Sequence, residues 1–117
     1  MEAFQKGKAK IRAGWATDRI IEETQQKIVV QCKNGAYLIF RRIEVPPKLK
    51  GTPAGNMFDG KVMIQFTEDL KADSFENVTM EAFGVADSHG RKREAKGRVL
   101  EALKEFSKRV QIGDVLT

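Results

Sequence analysis

The sequence has one cysteine, Cys32, one histidine, His89, and no long apolar run. A single cysteine excludes an internal disulfide, and one cysteine with one histidine cannot supply the ligands of a zinc site. No stretch approaches the roughly 18 apolar residues of a membrane-spanning helix, and no secretory signal is visible. We therefore expect a cytoplasmic protein without membrane contact, metal or cofactor, in which Cys32 is a buried thiol.

The chain has 117 residues, which fits a single domain over 1–117. Lysine and arginine number 21 against 16 acidic residues, which gives a formal net charge of +5. This excess favours polyanionic partners such as nucleic acid or a phospholipid surface. Neither a phosphate-binding glycine loop nor a converging set of carboxylates is visible, so we do not expect an enzyme.

The N-terminal segment FQKGKAKIRAGW places Lys6, Lys8 and Lys10 at alternating positions. Read at period two, residues 1–14 form an edge strand with one basic face, and read as coil they form a basic arm. In either form the lysines offer a track for phosphates. The following TDRIIEETQQ begins with capping residues and good helix formers, which predicts a short helix over 17–26.

The clearest pattern is KIVVQCKNGAYLIFRRIEV, in which two β-rich runs flank Asn34-Gly35. This pair favours a type I′ turn, so we predict an antiparallel hairpin of strands 27–32 and 36–45. Pro46-Pro47 ends the second strand because proline cannot donate to a ladder. The alternation in KVMIQF predicts a further strand, ENVTMEAFGVA resumes strand character, and His89 falls in the turn that follows.

Apolar residues recur at spacings of three and four near the C-terminus and predict a helix of about five turns. Those residues are Ala95, Val99, Ala102, Leu103, Phe106 and Val110. We therefore predict an α+β fold: an antiparallel sheet of three to four strands, with this helix and the short N-terminal helix packed on one face. Residues 111–117 are expected to form a flexible tail.

Four basic residues, Arg91, Lys92, Arg93 and Lys96, fall at the predicted start of that helix. Cations there oppose the helix dipole, at a cost of about 0.3–1 kcal/mol each. A phosphate bound at the same place would remove the conflict, because side chains and backbone N–H groups would point at one anion. A solvated helix start and a patch for a protein partner are the alternatives.

The segment KREAK, Lys92–Lys96, resembles the K-K-x-A-K signature that opens the last helix of double-stranded-RNA-binding domains. GTPAGNMF is similar to the G-P-x-H loop of the same family, although it has no histidine. The resemblance implies that Lys92, Arg93 and Lys96 bind phosphates across the major groove of double-stranded RNA. It also implies that Ala95 packs against the sheet.

Tyr37, Phe40 and the pair Arg41-Arg42 offer an alternative strand face that stacks bases while an arginine holds phosphate. Neighbouring strand residues point in opposite directions, so Arg41 and Arg42 cannot both face the core. Together these patterns predict a nucleic-acid-binding protein with limited sequence preference, RNA rather than DNA. The alternative is a protein-interaction or homodimerisation module that uses an exposed edge of the 27–45 hairpin.

Overall fold

The computed structural model describes residues 3–59, 61–72, 74–79, 84–87 and 89–111. Within these residues the chain forms three α-helices: α1 (Ala3–Gly14), α2 (Pro53–Phe58) and α3 (Arg98–Arg109). It also forms seven strands: β1 (Ile20–Glu23), β2 (Lys27–Gln31), β3 (Tyr37–Arg42), β4 (Val62–Thr67), β5 (Glu76–Thr79), β6 (Gly84–Ala86) and β7 (Lys92–Glu94). Short 3₁₀ turns lie at Thr17–Arg19 and Pro47–Leu49. None of the helices in this described part combines the length and apolar character needed to cross a membrane.

The strands form one antiparallel sheet in which each strand pairs with the next one in the chain, from β1 to β7. The predicted α+β class is confirmed, but three to four strands understates a sheet that has seven among the described residues. The predicted hairpin is present as β2 and β3. Both strands lie inside the sheet, flanked by β1 and β4, so the prediction of a free edge for dimerisation at 27–45 is wrong.

The turn of this hairpin differs from the predicted type I′ turn. The Gly35 amide donates to the Cys32 carbonyl at 2.9 Å, and the Cys32 amide donates to the Ala36 carbonyl at 2.8 Å. The reversal therefore uses three residues and ends on Gly35, whose φ is +87°. Asn34 stabilises it, because its Oδ1 accepts the Ala36 amide at 3.0 Å.

Helices α1 and α3 pack on the same face of the sheet, which we call the helix face. The C-terminal apolar stripe is buried there as predicted, and each large side chain so buried contributes about 1.5–3 kcal/mol. The core joins residues of α1, the sheet and α3: Phe4, Ile11, Trp15, Ile28, Val30, Leu38, Phe40, Ile64, Phe66, Val85, Val99, Leu103 and Phe106. Val29 and Ile39 are also buried, but alternation along their strands places them on the opposite face.

Residues 3–14 are a helix, so the prediction of a basic arm or edge strand over 1–14 is wrong. Phe4, Gly7, Lys8 and Ile11 are buried at spacings of three and four, which is the period of a helix packed on a sheet. Phe4 stacks on Phe40 with ring centroids 5.5 Å apart. The alternating lysines suggested period two, but the apolar contacts follow a period near 3.6.

The predicted helix over 17–26 is also wrong. After one 3₁₀ turn the chain enters β1, which pairs with β2 through Ile20 opposite Val30 and Glu23 opposite Ile28. The Thr24 hydroxyl accepts the Lys27 amide at 3.2 Å, which stabilises the turn between the two strands. Pairing with the sheet outweighs the weak helix preference of this short segment. Except for Gln111, the predicted tail 111–117 lies outside the described residues.

Candidate nucleic-acid interface

The predicted basic helix start is a strand and a turn. Helix α3 begins at Arg98, after Gly97 with φ +64°, and Lys92–Glu94 pair with β6 as β7. Asp87 explains the change, because its Oδ1 accepts the amides of His89 at 2.9 Å and Arg91 at 3.0 Å. With Gly90 at φ +79°, these bonds close a β6–β7 hairpin, whose second strand occupies the predicted start of the helix. His89 lies in this turn, as predicted.

The segment KREAK therefore does not open a helix, which is the position that its signature has in double-stranded-RNA-binding domains. Ala95 is buried in the core, as the resemblance implied, but from the connection between β7 and α3. Arg91, Lys92 and Arg93 therefore do not oppose a helix dipole, because they precede α3. The first turn of α3 contains an acidic residue, Glu101, which the dipole favours.

Intramolecular partners neutralise two members of the basic cluster. Arg91 Nε donates to Asp87 Oδ2 at 2.9 Å, and the Arg93 guanidinium contacts both carboxylate oxygens of Glu76 at 2.6 and 2.5 Å. The Arg91 amide, the His89 amide and the Arg91 guanidinium hold the pKa of Asp87 below its usual value. The positive charges of Arg91 and Arg93 are thus already balanced by carboxylates of the same chain.

The cluster is also divided between the two faces of the sheet. Arg93 pairs with Val85, a helix-face core residue, so Lys92 on the same strand points to the opposite face. The prediction that Arg91, Lys92, Arg93 and Lys96 converge on one anion is therefore wrong. Lys92 and Lys96 are exposed, and neither has an ion pair among the described residues.

The N-terminal lysines do not form one phosphate track. Lys6 and Lys10 are exposed and lie one turn apart on α1, but Lys8 is buried at 7% relative exposure. Its Nζ donates to the Thr24 carbonyl at 3.2 Å and lies 3.5 Å from Glu23 Oε2. The prediction that Lys8 contributes to a phosphate track is wrong, because the helical period turns this lysine toward β1.

Arg41 lies on the opposite face of the sheet, where its Nε donates to Gln65 Oε1 at 3.2 Å and Gln65 donates in turn to Asn77 at 3.1 Å. Tyr37 shares this face by alternation and is half-buried, whereas Phe40 is in the core against Phe4. The base-stacking face predicted around Arg41 therefore cannot include Phe40. The predicted site residues thus lie on three separate surfaces.

A different arrangement of cations surrounds the start of α3. A cleft of about 410 Å³ is lined by Arg93, Lys96 and Arg98 together with acidic side chains of the β4–β5 region. A second cleft, of about 270 Å³, is lined by Lys33, Lys104 and Lys108 together with Glu101 and Glu105. Both clefts border the contact between the β2–β3 turn and the first residue of α3.

That contact holds the two clefts next to each other. The Asn34 side-chain amide donates to the Arg98 carbonyl at 2.9 Å, and the Arg98 guanidinium donates back to the Asn34 carbonyl at 2.5 Å. Four exposed lysines follow this border, and we call them the lysine band: Lys33, Lys96, Lys104 and Lys108. Within the described part of the chain, none of the four forms an ion pair.

Two acidic residues near the band, Glu105 and Glu68, are bound to arginines, whereas Glu101 is exposed on α3 and has no ion pair among the described residues. Glu105 lies 2.8 Å from Arg19 and 3.1 Å from Arg109, and it accepts the Lys33 amide at 2.7 Å. Burial alone would raise the pKa of Glu105, but these hydrogen bonds and charges lower it overall. Glu68 is 3.5 Å from Arg98. Glu105 and Glu68 are therefore engaged by arginines and not by the band lysines.

Sequence reasoning found Lys96 but missed the other three members of the band. Lys104 and Lys108 carry the available signal, a spacing of four on the polar face of a helix. Lys33 lies 72 residues from Glu105, its partner in α3, so only the fold brings it to this helix.

Cys32 is buried, and this burial raises the pKa of its thiol to about 12, with the nearby Glu105 carboxylate adding to the effect. The thiol is thus protonated at neutral pH, as expected of a buried structural cysteine. Among the described residues, no three His, Cys, Asp or Glu side chains are grouped so that they could hold a metal ion.

Comparisons with protein-family models, with curated proteins and with solved structures find no match to this chain.

Proposed function

We propose that this protein binds the phosphate backbone of nucleic acid with limited sequence preference, and that the lysine band is its contact surface. The observation that carries the proposal is the set of four exposed lysines, without ion pairs among the described residues, along two adjoining clefts. The arginines around them are bound to carboxylates, so the lysines supply the charge left for a partner. The formal net charge of the whole chain, +5, is positive like the charge of the lysine band and also favours a polyanionic partner.

Lysine suits this role because its ammonium group is a flexible point charge without the fixed fork of arginine. It therefore contacts phosphates in several geometries and reads little of the base sequence. Lys104 and Lys108 lie one helical turn apart, so both project from the same side of α3. The β2–β3 turn adds Lys33, and the connection from β7 adds Lys96.

The choice of polymer rests on the sequence resemblance of KREAK to double-stranded-RNA-binding domains alone, because this segment forms β7 and a connection and does not start a helix. Lys96 is the member of that segment that belongs to the lysine band. We therefore expect double-stranded RNA to bind more tightly than double-stranded DNA or single strands. Fluorescence anisotropy titrations of all three polymers, at equal length and salt, test this order.

The test of the surface compares two variants with the same loss of charge. In the band variant, Lys33, Lys96, Lys104 and Lys108 are replaced by alanine. In the control variant, the replaced lysines are Lys48, Lys50, Lys61 and Lys71, which are also exposed and without ion pairs among the described residues. We expect a large loss of affinity in the first and a small one in the second. Equal losses in the two variants contradict the assignment of the surface.

A further inference from the structure

One edge of the sheet has the chemistry of a self-complementary contact. Strand β7 is the last strand of the sheet, and Lys92, Arg93 and Glu94 are all exposed. Its only strand partner among the described residues is β6, so the other edge of β7 is open there. An open edge presents unpaired N–H and C=O groups that can accept another strand.

The directions of these backbone groups follow from the hairpin. The Asp87 amide donates to the Arg91 carbonyl at 3.1 Å, which makes Asp87 and Arg91 a hydrogen-bonded pair. Such pairs alternate along an antiparallel ladder, so the Val85–Arg93 pair is bonded and its neighbours are not. Lys92 and Glu94 therefore direct their N–H and C=O groups away from β6, toward the open edge.

We propose that two copies of this chain pair through β7, antiparallel and centred on Arg93, to form a two-fold dimer with a continuous sheet. In this register Lys92 of each copy lies opposite Glu94 of the other, and each such pair exchanges both N–H···O bonds. Their side chains share one face, so opposite charges meet across the new strand pair. Neither Lys92 nor Glu94 has an ion pair among the described residues of its own chain.

The central residue does not oppose this pairing. The two copies of Arg93 would face each other, and like charges directly opposite are unfavourable. Each Arg93 guanidinium, however, is held by both oxygens of its own Glu76. Its charge is therefore balanced before the two copies meet.

The other end of the sheet lacks these properties. The register of β1 shifts between Ile20 and Glu22, and an irregularity of this kind blunts an edge. Glu22 and Glu23 already form ion pairs with Lys27 and with Arg12 and Lys8. Self-pairing at β1 would bring acidic side chains together, so the structure favours β7 as the contact.

A two-fold axis through an antiparallel strand pair is perpendicular to the sheet, so the helix faces of both copies lie on the same side. The lysine bands would then face the same side as well. If the proposed function holds, one polyanion contacts both bands and binds with higher affinity than it does to a monomer. The dimer itself does not depend on nucleic acid, and its test uses the protein alone.

The decisive experiment is a charge exchange followed by sedimentation equilibrium of the free protein. We expect wild type to show a concentration-dependent dimer and Glu94→Lys to weaken association by about tenfold or more, because both cross-strand pairs become repulsive. The double variant Lys92→Glu, Glu94→Lys should restore dimerisation, since the same pairs form with the charges reversed. Glu101→Lys makes the same charge change on α3 and should leave association unchanged.

Amide hydrogen exchange, read residue by residue by NMR, gives an independent check. At high protein concentration, where the dimer forms, the amides of Lys92 and Glu94 should exchange more slowly than in the dilute, monomeric protein. The Arg93 amide is bonded to β6 and should be protected at both concentrations. A wild-type protein that stays monomeric throughout, or a double variant that fails to recover while remaining folded, overturns the proposal. Loss of nucleic-acid affinity in the band variant has no bearing on either outcome.

Discussion

Glu105 connects more parts of the molecule than any sequence pattern suggested. Its carboxylate contacts Arg19 beside β1, Arg109 at the end of α3 and the Lys33 amide in the β2–β3 turn. The two arginines lie over the Trp15 ring, at 5.6 and 4.9 Å from its centroid. One acidic side chain thus fixes the turn that carries Lys33 against the helix that carries Lys104 and Lys108.

Replacing Glu105 by glutamine should lower the free energy of unfolding by about 1–3 kcal/mol at neutral pH, because charged hydrogen-bond partners lose their carboxylate. Urea denaturation monitored by Trp15 fluorescence measures this difference in the free energy of unfolding. Glu101→Gln removes an exposed carboxylate from the same helix and should change stability by less than about 0.5 kcal/mol. A Glu105→Gln variant as stable as Glu101→Gln contradicts the structural role of Glu105.

The same substitution should change the response to acid. The pKa of Glu105 in the folded protein lies below its ordinary value of 4.5. Its contribution is therefore complete above that ordinary value and is lost as pH falls through the lowered folded pKa. Denaturation curves collected below pH 4.5 should show a steeper loss of stability in wild type than in Glu105→Gln. Parallel losses in the two proteins contradict this assignment.

At the scale of the elements, α1 depends on a close approach that only glycine permits. A Cβ on Gly7 would lie 2.4 Å from Phe40 Cζ, within the stack of Phe40 on Phe4. Alanine favours a helix over glycine by about 1 kcal/mol, yet overpacking costs about 1–3 kcal/mol. We expect Gly7→Ala to destabilise the protein in urea denaturation, and Lys6→Ala on the exposed side to be neutral. A more stable Gly7→Ala variant contradicts the packing of α1 on β3.

The elements that the sequence predicts well are those with a local signal. The β2–β3 hairpin follows from its two β-rich runs around Asn34-Gly35, β4 follows from alternation, and the buried stripe of α3 follows from its spacing. The start of α3 does not follow from a local signal, because the sequence of residues 92–96 is compatible with a helix as well as with a strand. Pairing with β6 and the Asp87 turn decide the outcome, and both depend on contacts outside the segment.

At the scale of the whole molecule, the sign of the charge could be predicted and its distribution could not. The net charge of +5 is visible in the sequence, but the cations that remain unpaired depend on which carboxylates the fold brings to the arginines. Arg91 and Arg93 form the densest basic run together with Lys92, yet Asp87 and Glu76 bind them. The lysine band combines residues from a turn, a connection and a helix, so no single segment of the sequence predicts it.

The most direct test of the lysine band is the salt dependence of its binding. Each phosphate contact contributes about 0.7–0.9 to the slope of log affinity against log salt concentration, because neutralising a phosphate releases counterions. We expect a steep slope for wild type and for the Lys48, Lys50, Lys61 and Lys71 control variant. The slope should be shallower by about three in the variant that lacks Lys33, Lys96, Lys104 and Lys108. Equal slopes for wild type and this band variant, or no salt-sensitive binding by wild type, contradict the account.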